Sequence, residues 1–148
     1  MSWSTLRGQI EDLLNDNANI QEVAGAPRIK FGGYPAAYVV PSDNEGDYES
    51  TSENIRTYAF LVRIFYETKD TGVADALDAL EDIVDSVLDS FDEEDLKPAT
   101  TRKIGINLPS NYTFINIFAT PSAWAELEGE ALIMAELRLR IRISVDIS

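Results

Sequence analysis

The spacing of acidic side chains in one polar segment of this 148-residue sequence is the pattern closest to a chemical site. Four carboxylates occupy alternate positions there: Asp43, Glu45, Asp47 and Glu49. Ca²⁺ prefers such oxygen ligands, and an EF-hand loop needs glycine at its sixth position and glutamate at its twelfth. Counted from Asp43, Gly46 is fourth and Asn54 is twelfth, so the spacing fails. We therefore expect a mobile loop over about residues 41–54 that is either solvated or in contact with a partner, and no metal.

The composition removes the common catalytic systems. The sequence has no histidine and no cysteine, so neither a Ser-His-Asp triad, nor a Cys-His pair, nor an ordinary zinc site can form. A pair of carboxylates like that of a glycosidase could come from the 26 acidic residues, but no local pattern selects one pair. We predict that the protein is not an enzyme and holds no cofactor.

The overall charge limits the partners. With 26 acidic and 12 basic residues the net charge is −14, which argues against nucleic-acid binding through a broad basic surface. The first residues lack the basic start and apolar run of a signal peptide, and no segment is long enough to span a membrane. We expect a protein of an aqueous compartment with no membrane contact, folded as a single domain over residues 1–148.

The basic side chains concentrate in the last strand. Residues 131–147 carry apolar side chains at odd positions, and at even positions they include Arg138, Arg140 and Arg142. Because alternate residues of a strand point to opposite faces, one face is buried and the other is basic. Three interpretations stay open: the arginines mask an exposed sheet face, they bind phosphate, or together with Arg63 they form a salt-bridged contact with acids of another subunit, such as those from Asp75 to Asp92.

The length of this strand is a second constraint. Seventeen residues at about 3.3 Å each span roughly 56 Å, which exceeds the diameter of about 40 Å expected for a compact domain of this size. The strand must therefore bend, contain a bulge, or project to pair with a neighbouring chain.

A long helix is predicted from Thr71 to about Phe91, and one of its stripes is apolar. The apolar stripe consists of Val73, Leu77, Leu80, Val84, Val87, Leu88 and Phe91. A second arc is acidic and consists of Asp75, Asp78, Asp82, Asp85, Asp89 and Asp92. Like charges at this spacing destabilise a helix by about 0.2–0.5 kcal/mol per pair, so burial of the apolar stripe must offset them. The acidic arc is either a solubilising surface or a face turned toward a polyanion that must not adhere.

A third arc of the same helix is small and weakly polar. It consists of Ala76, Ala79, Ile83, Ser86 and Ser90. Such an arc permits the close approach of another backbone, and ordinary packing within the chain explains it equally well.

The remaining periodicity predicts an α+β fold with a mixed, mostly antiparallel sheet and two helices packed on it. A short helix precedes Asn15, and short strands are expected over residues 35–40 and 104–108. Residues 54–67 are apolar on both faces, so this strand is central or pressed against another subunit. A further strand at residues 112–119 should end in a turn marked by Pro121.

In the order of these segments the chain resembles the tail terminator proteins of long-tailed double-stranded DNA bacteriophages. The resemblance covers most of the chain. It comprises the short first helix, the Gly-Tyr-Pro-Ala strand at residues 33–36, the acidic loop, Asn-Ile-Arg-Thr-Tyr-Ala-Phe at residues 54–60 running into a long strand, the acidic helix and the basic closing strand.

The resemblance implies a structural virion protein with helices on a mixed sheet. Such proteins form a six-membered ring on the tail tube, end its growth, and present the joining surface to the head. The implied partners are further copies of the chain, the tail tube protein and a head-closure or connector protein, with DNA passing through the ring. The implied location is the tail or neck of a virion assembled in the host cytoplasm.

Two expectations for the ring follow from the same resemblance. Exposed strand edges would make the ring contact, and the acidic arc from Asp75 to Asp89 would line the DNA channel. Two rival functions stay open, namely a head-closure or adaptor protein of the neck and a monomeric ligand-binding or immunity-type domain.

Overall fold

The chain folds as a five-stranded sheet with two helices on one face. A computed structural model describes residues 3–28, 30–42, 53–69, 72–127 and 129–146. In chain order the elements are α1 (Trp3–Asn15), β1 (Glu22–Ala24), β2 (Ala36–Pro41), β3 (Glu53–Glu67), α2 (Val73–Leu96), β4 (Tyr112–Leu127) and β5 (Leu132–Asp146). The predicted acidic loop with Asp43, Glu45, Asp47 and Glu49 lies outside the described residues.

The strand order is β1-β2-β3-β5-β4, with β1 parallel to β2 and every other pair antiparallel. This confirms the predicted α+β fold with a mixed, mostly antiparallel sheet. The short parallel strand β1 was not expected, because three residues in a segment rich in turn formers carry no periodicity.

The last strand, β5, lies inside the sheet and does not project from it. Its whole length pairs with β3 on one side, and β4 pairs along it on the other. The possibility that it extends to a neighbouring chain is therefore wrong. The strands β3, β4 and β5 are each 15 or 16 residues long, so none of them extends alone beyond the others. β4 contains register shifts at Phe114/Asn116 and Pro121/Ala123, of the kind that bend a strand.

The core lies between the helices and one face of the sheet. The odd positions of β5 supply Leu137, Leu139 and Ile141, and β3 places Phe60 opposite Leu139. From the helix side Leu80 is equally inaccessible to solvent. The alternation of apolar residues in β5 and its basic opposite face are confirmed.

The buried face of α2 is rotated from the predicted stripe. Val73 and Leu77 are 43% and 39% exposed, whereas Ala76 and Ile83 are buried. The periodicity alone could not distinguish these positions, because the first turns of α2 offer apolar side chains on two adjacent arcs. Packing against the sheet selects the arc that contains the small residue.

The small arc of α2 packs within the chain. The side-chain amide of Asn17, just after α1, donates hydrogen bonds to the hydroxyls of Ser86 at 3.2 Å and Ser90 at 3.1 Å. Asn19 donates a further bond to Ser86 at 2.8 Å. Intramolecular packing therefore accounts for this arc, and no second backbone is needed there.

Two predicted boundaries are wrong. Residues 104–108 form no strand, because the start of this segment donates its backbone hydrogen bonds to a side chain and not to a neighbouring strand. The buried carboxylate of Glu94 accepts the backbone N–H groups of Lys103 and Ile104, the latter at 2.7 Å. Pro121 does not end β4 either, because a register shift there lets the edge strand tolerate the missing N–H.

Candidate assembly surfaces

The face of the sheet opposite the helices carries the arginine row, defined as Arg138, Arg140 and Arg142. Alternate residues of a strand are spaced about 6.6 Å apart, so the three charges follow one another along β5. Phe118 of β4 is paired in register with Arg140 and is 57% exposed. This part of the sheet is thus a basic surface with one exposed aromatic ring in its middle.

Arg63 occupies the same face but is bound within the chain. Its Nε donates to Glu136 at 2.9 Å, and another guanidinium nitrogen donates to the Tyr38 hydroxyl at 3.1 Å. These hydrogen bonds raise the pKa of Arg63 above its ordinary value. The Ser122 hydroxyl in turn donates to Glu136 at 3.0 Å. One polar chain therefore links four neighbouring strands, and the expected subunit contact of Arg63 stays a prediction.

Beyond this polar chain the sheet face is covered. Phe31 lies against Phe65 with ring centroids 5.2 Å apart, and Tyr38 lies 5.5 Å from the same ring. Tyr34 and Leu132 join this smaller hydrophobic cluster. The segment between β1 and β2 thus closes one end of the face, and the arginine row occupies the other end.

The opposite side of the molecule carries the aspartate stripe, defined as the six exposed aspartates of α2 from Asp75 to Asp92. Its members are Asp75, Asp78, Asp82, Asp85, Asp89 and Asp92, all exposed. Among the described residues none of them forms an ion pair. The stripe extends over about 25 Å at the helical rise of about 1.5 Å per residue.

The two charged surfaces lie on opposite sides of one sheet. The buried odd positions of β5 pack against α2, so the arginine row points away from the helix. In a ring whose channel is lined by the stripe, the row would face outward and could not make the lateral contact. The expected lateral arginine contact and the expected channel-lining stripe therefore exclude each other.

An apolar groove lies where the start of α2 meets the far end of the β4–β5 hairpin. It has a volume of about 200 Å³. Its lining includes Val73, Leu77, Trp124, Ile133 and Met134. Helical periodicity assigned Val73 and Leu77 to the core, so the sequence did not predict the groove. An aromatic residue in an exposed part of a strand, Trp124 at 45% exposure, was the available signal.

The outer edge of β4 is partly blocked against strand addition. The carboxylate of Asp95 in α2 accepts the N–H of Ile117 at 2.7 Å, which removes a donor from the edge. Pro121 lacks a donor altogether, and both register shifts distort the ladder. The expectation that exposed strand edges make the ring contact remains a prediction.

A larger groove, of about 640 Å³, lies beside the connection between α2 and β4. Arg102 stands in it, with its guanidinium 3.7 Å from the centroid of the Phe114 ring and Nε donating to the Ile104 carbonyl at 2.8 Å. Burial lowers the pKa of Arg102. Gly105 has a φ of 70°, and a Cβ there would meet the Phe114 ring at 2.7 Å. The arginine and glycine therefore shape the connection itself.

Neither a metal site nor a membrane span is found in the described part of the chain. No group of three or more acidic side chains there could hold a metal ion. No helix among the same residues is long and apolar enough to cross a membrane.

No protein-family model matches the chain, and no curated protein matches it. Among solved structures it is similar to a chain of a particle described as the virion of a native gene transfer agent. The two are 12% identical, the match covers 96% of this chain and 93% of that chain, and the TM-score is 0.48. A likeness at this level does not assign a function.

Proposed function

We propose that this chain is a structural virion protein of a tailed phage-like particle, which forms a ring on the end of the tail tube, ends tail elongation and joins the tail to the head. The order of elements that resembles tail terminators supports this proposal. The observation that carries it is the separation of charge: a subunit that is acidic on its helix side and basic on its open sheet face can bind copies of itself.

The lateral contact joins the arginine row of one copy to the aspartate stripe of the next. Guanidinium groups bind carboxylates with two hydrogen bonds, and opposite potentials set the orientation of approach. Because the two surfaces differ and lie on opposite sides of the subunit, the contact is heterologous. A heterologous contact repeats around an axis until it closes as a ring, which the resemblance implies has six members.

The alternative position for the aspartate stripe is the channel wall. There it would repel the phosphates of passing DNA and keep the duplex from adhering. Charge reversal in the stripe separates the two positions: loss of the ring supports the lateral contact, whereas intact rings with impaired DNA passage support the channel wall.

The tail tube protein and a head-closure or connector protein are the proposed partners, and the acidic loop over about residues 41–54 is a proposed contact for one of them. Assembly would take place in the host cytoplasm, and the finished protein would reside in the virion neck. These assignments follow from the position of a ring between tube and head.

Electron microscopy of particles made without this gene, in the genome that encodes it, tests the proposal. A terminator predicts overlong tails detached from filled heads. Tails of normal length lying beside heads would assign the chain to head closure, and normal infectious particles would refute a role in the neck.

A further inference from the structure

The apolar groove beside the start of α2 has the properties of a docking site. Val73 and Leu77 from the helix and Trp124 from β4 are each between 39% and 45% exposed. Clustered exposed apolar side chains in a concave surface mark interaction sites. An engineered cavity of about 150 Å³ is enough to bind benzene. The groove, at about 200 Å³, therefore has room for one phenyl ring.

The charge around the groove specifies what its occupant carries. Glu126 contributes the only charge among the described lining residues. Asp78 follows Leu77 about 100° further around α2 and is exposed. An apolar floor with an acidic rim suits an aromatic or aliphatic side chain that is surrounded by positive charge.

Phe118 meets that description on the other side of the same molecule. It is 57% exposed and paired with Arg140, and the next residues of β4 on the same face, Thr120 and Asn116, are paired with Arg138 and Arg142. Of the large apolar side chains exposed in the described ranges, Phe118 is the one beside the arginine row. Leu96, at 84% exposure, lies in contrast at the acidic end of α2.

We infer that Phe118 of one copy inserts into the apolar groove of the next, with the arginine row against Asp78 and Glu126. This contact rests on the proposed ring and names the residues at its centre. Phe118 and the groove lie on opposite faces of the sheet, about six residues or roughly 20 Å apart along β4. Each copy therefore donates one ring and accepts another, as a heterologous contact requires.

Engineered cysteines test the contact directly, because the chain has none of its own. The variants Phe118→Cys and Leu77→Cys are purified separately, mixed in equal amounts and oxidised with copper phenanthroline. The mixture should give disulfide-linked dimers, and each variant alone should stay unlinked. A chain carrying both substitutions should give a ladder that ends at the number of subunits in the ring.

Matched controls come from the same elements. In one control, Leu96→Cys at the far end of α2 is mixed with Phe118→Cys. In the other, Thr113→Cys on the open face of β4 is mixed with Leu77→Cys. Neither replacement should yield dimers, because a disulfide needs Cβ atoms within about 3.5–4.5 Å. Dimers formed by Phe118→Cys alone would show a symmetric contact and overturn the inference, as would equal yields from the control pairs.

A second measurement does not depend on disulfide geometry. Phe118→Ser should raise the dissociation constant for self-association by about 10- to 100-fold, because the apolar surface of one phenyl ring is no longer buried. Ile115→Ser, at another exposed apolar position on the same strand, should leave it unchanged. Sedimentation at a series of concentrations provides the constants, and both side chains are exposed enough for the fold to persist.

The inference and the proposed function fail in different ways. Rings of unchanged mass from Phe118→Ser, without crosslinks in the mixture, would overturn the Phe118 contact and leave the ring in place. If the cysteine variants form crosslinked rings but the gene deletion still gives normal particles, the proposed role in the neck is refuted and the Phe118 contact is supported. A wild-type chain that stays monomeric at high concentration would overturn both.

Discussion

Replacing the buried Glu94 by alanine should destabilise the fold strongly. The Glu94 side chain has 0% exposure and accepts the backbone N–H groups of Lys103 and Ile104. It also lies 3.6 Å from the Lys97 ammonium. In Glu94→Ala both N–H groups lose a charged acceptor inside the protein, where an unsatisfied donor cannot reach water.

The magnitude follows from these bonds. A hydrogen bond to a charged group contributes about 1.5–3 kcal/mol, so two of them give about 3–6 kcal/mol. The Lys97 ion pair adds little, because the lysine side chain is 39% exposed. Partial relaxation of the 97–105 segment lowers the sum, and we expect a loss of about 3–5 kcal/mol. That is a large share of the roughly 5–15 kcal/mol that stabilises a typical domain.

Urea unfolding followed by tryptophan fluorescence measures this loss, because Trp3 packs 4.9 Å from the Tyr58 ring and senses the core. All variants are compared at one protein concentration, since self-association would stabilise the folded state. Glu93→Ala, one residue earlier and exposed, should stay within about 0.5 kcal/mol of the wild type. Both N–H groups donate to the same oxygen of Glu94, so the amide oxygen of Glu94→Gln can keep both bonds without the charge, and this variant should lose about half as much as alanine. A loss below about 1 kcal/mol for Glu94→Ala would refute the role of this carboxylate.

Two further changes test the charged surfaces, and a third tests a partly buried carboxylate of α1. Arg140→Glu reverses the centre of the arginine row and should weaken assembly, so an unchanged mass in light scattering would contradict the lateral contact. Replacing Asp78, Asp82 and Asp85 by lysine should leave the circular dichroism spectrum unchanged. If the stripe makes the lateral contact, the ring should be lost, and if the stripe lines the channel, only infectivity should be lost. Normal ring formation together with normal infectivity would show that the stripe is only a solubilising surface. Burial raises the pKa of Glu11 above 4.5, so its charged form is disfavoured in the folded state. Glu11→Gln should therefore gain stability over the wild type as the pH rises through the folded pKa, with no gain below pH 4.5.

These comparisons have internal controls. Arg28→Glu makes the same charge change as Arg140→Glu at an exposed arginine that pairs with Glu22 at 3.2 Å, and it should leave assembly unchanged. For Glu11→Gln the thermal midpoint is compared at pH 4 and pH 7. A variant that is less stable than the wild type at pH 7 would show that attraction to Arg7, 4.0 Å away, outweighs burial.

Local periodicity was sufficient for most of the secondary structure and for the faces of individual elements. The alternation in β5 predicted both its buried row and the arginine row, because neighbouring residues of a strand point to opposite sides whatever the rest of the chain does. The helical period of 3.6 residues predicted the exposed aspartate stripe in the same way. It failed at residues 104–108 and at Pro121, where a side-chain hydrogen bond and a bulge override local preference.

Tertiary structure alone decided how those faces are related. The pairing of β3 with β5 joins residues as distant in sequence as Glu53 and Asp146, and no local pattern specifies such a neighbour. That pairing makes β5 a central strand, turns the arginine row away from α2 and leaves Phe118 exposed in the middle of the row. The rotation of α2 on the sheet, set by packing, exposes Val73 and Leu77 and so creates the groove. Charges and strand faces are therefore properties of the sequence, whereas their opposition across one sheet arises only when distant strands pair.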